Sequence, residues 1–184
     1  ARRDCLAYID AFARPVPASM WMGGRDFETL TGGAASEPAA AELARVIADQ
    51  IMVLPAAVTE SGPYRARRGG WAGDPAGLSA GERAAAASLY CALVATEALR
   101  LAGSRGPILV EGPFARNRVF LGALAALTAR AVSGRTDATG TTGGAALLAA
   151  GPEGFVRPAV AAPETEPLGV DIGPYAEAWR ERVG

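Results

Sequence analysis

The chain has 184 residues, half of them hydrophobic, with 18 Lys and Arg against 19 Asp and Glu and a pI of about 5.6. That length and apolar fraction suffice for one compact unit with a real core, and the near-neutral charge provides no electrostatic footprint for nucleic acid or an anionic membrane. Histidine is absent, which excludes Ser-His-Asp and Cys-His catalysis and imidazole-bound zinc, leaving acid–base work to carboxylates.

Along the chain, "CLAYIDAF" (5–12) is apolar on both faces except for Asp10, the pattern of a strand buried on both sides. Pro15 and Pro17 each remove a donor, so "ARPVPASMWMGGRDF" is expected to be irregular. Gly23 and Gly24 then permit a turn into a short helix at 26–30, ended by Gly32 and Gly33. Ser36 before Glu37 and Pro38 predicts a capped helix running to about Gln50. "IMVLPAAV" is strand-like, and "TESGPYRARRGGWAGDPAGL" reads as a long loop whose Arg65–Arg68 cluster is solvated. Ser79 and Glu82 have capping-box spacing and open the best helix of the chain, to about Ala102.

Next come the apolar strand "PILVE", a turn at Gly112-Pro113, and a helix expected from about Phe114 to Arg130. "AVSGRT" is a further short strand, "TGTTGGAALLAAG" contains a glycine-started helix, and "PYAEAWRERV" is the last helix. Prolines at 152, 158, 163 and 167 predict that Gly151 to Gly173 wraps the surface before that helix, wrapping tail and terminal helix together spanning 151–184. From Ser79 the order helix, strand, helix, strand, helix implies an α/β unit. No repeat at solenoid period occurs.

The apolar stretches are broken by Gly, Arg or Pro before the ~18 residues a membrane span needs, and the start lacks a signal peptide's apolar segment. Cys5 and Cys91 lie far apart in apolar surroundings, as expected of reduced core thiols in a cytoplasmic protein. The first residue is not methionine and strand-like sequence begins almost at once, as expected of a piece of something longer.

The turn after "PILVE" is the main candidate for chemistry, because ligands of open α/β sheets collect at the carboxyl ends of strands, where helix N–H groups point outward. Gly112 allows close backbone approach, and Asn117 offers both a donor and acceptors, which suits a nucleoside or a phosphate. A strand–Gly–helix turn also occurs without any ligand. "TGTTGG" (139–144) lacks the Gly-Lys-Ser/Thr of a Walker loop, so its glycines either face a nucleotide or let a helix pack closely. Gly23-Gly24 before Arg25 is ambiguous in the same way. Asp10, Asp26, Glu28, Glu111 and Asp137 lie near turns or strand ends, but no spacing pairs two of them as acid and base.

Three segments in this order, "RPVPASMWMGGRDFE", "GLSAGERAAAASLY" and "ILVEGPFARNRVFLGALAALTARAVSGRTDATGTTGGAALLA", resemble the C-terminal part of FGGY-family carbohydrate kinases, closest to the fuculokinase-like branch. The resemblance runs from about Asp10 to Ala150. It implies an α/β lobe of the actin-like ATPase, ribonuclease H-like fold, a mixed sheet flanked by helices, spanning the whole chain as a nucleotide-binding lobe. It also implies ATP-dependent phosphorylation of a sugar hydroxyl, with ATP or ADP and Mg²⁺ as cofactors. By that resemblance, Gly112, Pro113 and Asn117 contact adenosine, Gly23, Gly24, Phe27 and Glu28 lie near the nucleotide, and "GTTGGAALLA" packs behind the same site. Many members have two glycines where this chain has Gly112-Pro113. The family's catalytic aspartate, N-terminal phosphate loop and most sugar contacts belong to a preceding lobe. The expectation is therefore a nucleotide lobe that needs an N-terminal lobe, from a partner chain or otherwise, to act on its sugar. The alternative is a non-catalytic interaction module that keeps the fold, as a homodimer or with a protein partner, a reading that Pro113 favours. An α/β hydrolase is set aside for want of Gly-x-Ser-x-Gly and histidine.

Overall fold

The structure is a computed structural model that describes residues 5–34, 36–59, 61–136, 140–151 and 164–184. Asp137, Thr139 and the tail over 152–163 lie outside the described residues.

The longest helix, α3 (Ala80–Leu101), organises the core. Its start is the expected capping box: the Ser79 hydroxyl accepts from the Glu82 N–H at 3.0 Å, and the Glu82 carboxylate accepts from the Ser79 N–H at 2.8 Å. Alanines at 84–87 and 92 let neighbours approach closely, and every residue from Ala84 to Val94 is buried. Helices α1 (Gly23–Thr31), α2 (Ala40–Ala48) and α4 (Arg118–Thr128) pack on it. Among the described helices α3 alone is long and apolar enough to cross a membrane, because alanine carries its hydropathy without a bulky stripe. Burial under three other helices accounts for that apolarity.

Strand β5 (Ile108–Glu111), α4 and β6 (Val132–Arg135) form a parallel βαβ unit, with Ile108 opposite Val132 and Glu111 opposite Arg135. Helix α5 (Gly140–Ala150) follows, so the order expected from Ser79 onward is the one observed. The remaining pairs are antiparallel: β1 (Cys5–Ile9) with β2 (Pro15–Ser19), and β3 (Val53–Leu54) with β4 (Gly70–Trp71). Parallel and antiparallel pairing are thus both present, in three two-stranded pieces among the described residues. Helix α6 (Gly173–Val183) closes the core, with Trp179 Nε1 donating to Val53 O at 2.8 Å and the Tyr175 hydroxyl to Ile51 O at 2.9 Å.

Five expectations change. Strand β1 is exposed on both faces rather than buried, and Cys5 is only half-buried whereas Cys91 is core. Burial holds the Cys91 thiol well above its usual range. The Pro15–Ser19 segment is a regular strand, because Pro15 and Pro17 share a parity and both missing N–H groups fall on the side away from β1. The long loop contributes β4, and its Tyr64 packs edge-on against Trp179 at 5.9 Å between ring centres. Helix α2 starts after Ala39 rather than Ser36, since the Glu42 carboxylate reaches back to the Ala39 N–H at 2.8 Å.

Candidate functional site

The turn that leaves β5 is more elaborate than a strand feeding directly into a helix. Gly112 adopts φ 78° and ψ −159°, a region open essentially to glycine alone. One turn of 3-10 helix, Pro113–Arg116, follows, and Pro113 sits at its first position, where no N–H is required. Asn117 then turns extended (φ −84°, ψ 97°), and its Oδ1 accepts from the Phe120 N–H at 2.9 Å, so α4 begins at Arg118 instead of Phe114. The first-turn N–H groups at Arg118 and Val119 have no intrahelical acceptor.

Asn117 is therefore a cap before it is anything else. Its Nδ2 donates to Ser88 Oγ at 2.9 Å, and Ser88 in turn donates to Ala84 O at 2.7 Å, which ties α4 to the middle of α3. Asn117→Ala removes the cap and one partly buried hydrogen bond. The expected cost is about 2 kcal/mol, checked by denaturant unfolding. Asn117→Ser, which keeps a cap, should lose about half of that, and equal losses in the two variants would refute the capping role.

Between this turn, α1 and the segment leading into α2 lies a cleft of about 280 Å³. Phe27 of α1 meets Phe114 edge-to-face at 5.6 Å, and Phe114 leans on Phe120 at 4.6 Å, which makes an apolar floor. Pro38 and Pro113 form walls, Ser88 and Asn117 supply polarity, and Arg116 and Arg118 stand at the mouth. Glu37 faces Arg118 there at 3.6 Å, an exposed pair with little energetic weight. The cleft sits near the lower end of small-molecule pocket sizes and suits one flat ring system with an anionic extension at its mouth.

Of the seven residues singled out from the sequence, Phe27, Pro113 and Asn117 line this cleft, and Gly112 shapes the turn that carries them. Gly23, Gly24 and Glu28 are not in its lining. Gly23 is buried with its Cα against the Trp21 ring, where a Cβ would collide, whereas Gly24 and Glu28 are exposed on α1. Phe114, Ser88 and the 36–38 segment were not anticipated. Phe114 could have been found from its place in the turn, but nothing local marks Ser88, 29 residues from Asn117.

Three of the five candidate carboxylates, Asp26, Asp10 and Glu111, have structural roles, Glu28 is exposed, and Asp137 lies outside the described residues. Asp26, 1% exposed, accepts from Trp21 Nε1 (2.8 Å), the Tyr90 hydroxyl (3.0 Å) and the Val58 N–H (2.6 Å). Burial pushes its pKa up from the ordinary carboxylate value, against the three donors that favour the ionised form. Asp10 closes the β1–β2 turn by accepting from Phe12 N and Arg14, and the Arg14 side chain holds it below its usual value. Glu111 accepts from the Gly140 N–H at 2.8 Å and so caps α5. Helix α5 is largely exposed, and Gly143 and Gly144 face open space rather than a close neighbour. Among the described residues no group of three or more His, Cys, Asp or Glu could hold a metal.

Residues 1–158 match the family model described as "Carbohydrate kinase FGGY, C-terminal domain". No curated protein matches the chain. The crystal structure of a carbohydrate kinase from Novosphingobium aromaticivorans superposes with a TM-score of 0.84 at 38% identity, covering 100% of this chain. The chain spans 41% of that kinase's length. The turn, the βαβ unit and the family match together place the chain in the FGGY carbohydrate kinase family, as a C-terminal domain of the actin-like ATPase fold.

Proposed function

We propose that this chain is the nucleotide-binding lobe of an ATP-dependent sugar kinase and that catalysis requires an N-terminal lobe. One observation carries the reading: Phe27, Pro113 and Asn117, drawn from two distant segments, meet around a cleft with an aromatic floor and two arginines at its mouth. An adenine base fits the floor, and the phosphates fit the mouth, where arginines and the free N–H groups of α4 favour anions. Phosphoryl transfer is mainly positioning and charge stabilisation, with closure of two lobes excluding water. Mg²⁺ bound to the nucleotide phosphates would supply charge neutralisation during transfer. This chain's part is to bind the base and to orient the phosphates toward the other lobe, which supplies the acceptor-activating carboxylate and the sugar contacts. The three motifs favour the fuculokinase-like branch, and the buried, reduced Cys91 suits a cytoplasmic setting.

Pro113, the residue that favours the non-catalytic reading, sits at the start of the 3-10 turn, where no N–H is required. Titration of Mg-ADP into the chain, followed by calorimetry and tryptophan fluorescence, is expected to show saturable one-to-one binding. Absence of binding at about 1 mM nucleotide would overturn the nucleotide-lobe assignment. Turnover of a sugar by the purified chain alone would overturn the dependence on a second lobe.

A further inference from the structure

The polar groups inside the cleft are engaged within the fold. Ser88 Oγ accepts from Asn117 Nδ2 at 2.9 Å and donates its own proton to Ala84 O at 2.7 Å. Asn117 Oδ1 holds the Phe120 N–H at 2.9 Å, the bond that starts α4. The carbonyls of Gly112 and Phe114 accept from Ala115 N and Asn117 N inside the turn, both at 3.0 Å. The walls are Pro38 and Pro113, and neither has a main-chain N–H. A ligand in the cleft therefore meets mainly ring surface, where Phe27 and Phe114 pack edge-to-face at 5.6 Å.

Telling one purine from another takes more than ring surface. Adenine presents an amino donor at its 6-position, whereas guanine presents a carbonyl acceptor there, and hypoxanthine does the same. A site separates them by about 10⁴-fold when a buried polar group of fixed polarity meets that edge and is left unpaired by the wrong base. Apolar contact by itself cannot strongly reject a ligand of the same shape. Among the described residues no side chain of the lining meets the requirement. The second N–H of Asn117 Nδ2 is a donor that ring nitrogens common to these bases can accept, and the Ser36 hydroxyl donates or accepts as its partner requires. Glu37 and Arg118 have fixed polarity, but their side chains are 72% and 86% exposed at the mouth, where water replaces a bond they fail to make.

We propose that the cleft recognises a purine ring by shape and by contact with the phenylalanine floor, and binds guanine and hypoxanthine nucleotides as well as adenine nucleotides. The proposal rests on the nucleotide-lobe reading above. Base–aromatic contact tolerates different bases because each has a π-face, and the phosphates that reach the arginines at the mouth are common to all of them. Ser88 and Asn117 have the chemistry to read a base edge, and the fold spends it on joining α3 to α4.

The test titrates Mg-ADP, Mg-GDP, Mg-IDP and Mg-UDP into the chain by calorimetry. The three purine nucleotides should bind within about tenfold of one another. Mg-UDP, whose single ring covers less of the floor, should bind about tenfold more weakly. Phe27→Leu keeps apolar bulk beside Phe114 and should weaken all three purine nucleotides by one common factor, about tenfold. A preference for Mg-ADP over Mg-GDP above about tenfold would overturn the proposal and leave the nucleotide-lobe reading intact. A loss in Phe27→Leu confined to one purine would also overturn it, since that base would then be read individually. Equal binding of Mg-UDP and Mg-ADP would do the same, because the phosphates alone would then be recognised. Absence of binding by all four at about 1 mM would remove the nucleotide-lobe reading, and this proposal with it.

Discussion

Asp26→Ala is expected to destabilise the fold by about 3 kcal/mol, a fall in Tm of about 6–12 °C for a chain of this size. The carboxylate joins three elements: Trp21 ahead of α1, Val58 in the loop after β3, and Tyr90 at the centre of α3. Its removal strands two N–H donors and a hydroxyl in a site that is 1% exposed, and each stranded group costs about 1–3 kcal/mol, offset in part because a buried charge is removed. Asp26→Asn keeps the shape but turns an NH₂ toward donors, and should lose about 1–2 kcal/mol. A loss below about 1 kcal/mol in Asp26→Ala would show that the network contributes little.

The same group sets a pH dependence of known sign. Burial raises the folded-state pKa of Asp26 above its unfolded value near 3.8. The folded state therefore holds a proton in the window between the two values that the unfolded state releases. The contribution is fully present below the unfolded value and is lost as pH rises through the folded one. The stability difference between the wild type and Asp26→Asn should widen as pH falls through that window. A difference that narrows on acidification would mean that the three donors outweigh burial and that the carboxyl is ionised more readily than usual.

Gly112→Ala should reduce Mg-ADP affinity by about tenfold or more, and stability by about 1–3 kcal/mol. The backbone there occupies a glycine-only region, while the direction a Cβ would take is open space, so the penalty is torsional and not steric. Relief of that strain rotates the Pro113–Arg116 turn and moves Phe114 away from Phe27, which dismantles the floor of the cleft. Gly143→Ala, on the exposed helix α5 with nothing near its Cβ, serves as the control and should leave affinity unchanged. Calorimetry on both variants decides the matter: equal affinity in Gly112→Ala and wild type would remove the turn from the nucleotide site.

Local signals carried much of this molecule. The Ser79–Glu82 capping box, the α3–β5–α4–β6–α5 order and the terminal helix follow from side-chain chemistry within a few residues, and the structure has each of them. Gly112 was legible because a tight turn after a strand needs a positive φ, and Asn117 because its amide can serve a backbone or a ligand. Proline positions in β2 misled, because only register tells whether a missing N–H faces a partner or solvent.

Tertiary contacts decided the rest. The double-sided apolarity of β1 encodes a buried strand, yet burial depends on which polypeptide lies beside it, and no property of residues 5–9 specifies that neighbour. Asp26, Asp10 and Glu111 were indistinguishable as candidates in sequence, since a carboxylate's role depends on the donors that converge on it, and Tyr90 and Val58 are brought to Asp26 only by the packing of α3 and the β3 loop. Sequence by itself thus determined the elements, the α/β class and the motifs that carry the family resemblance, because these rest on periodicity and short-range hydrogen bonding. Only the tertiary structure decided which of the marked residues share a cleft, since Phe27, Ser88 and Asn117 meet through helix packing over long sequence separations.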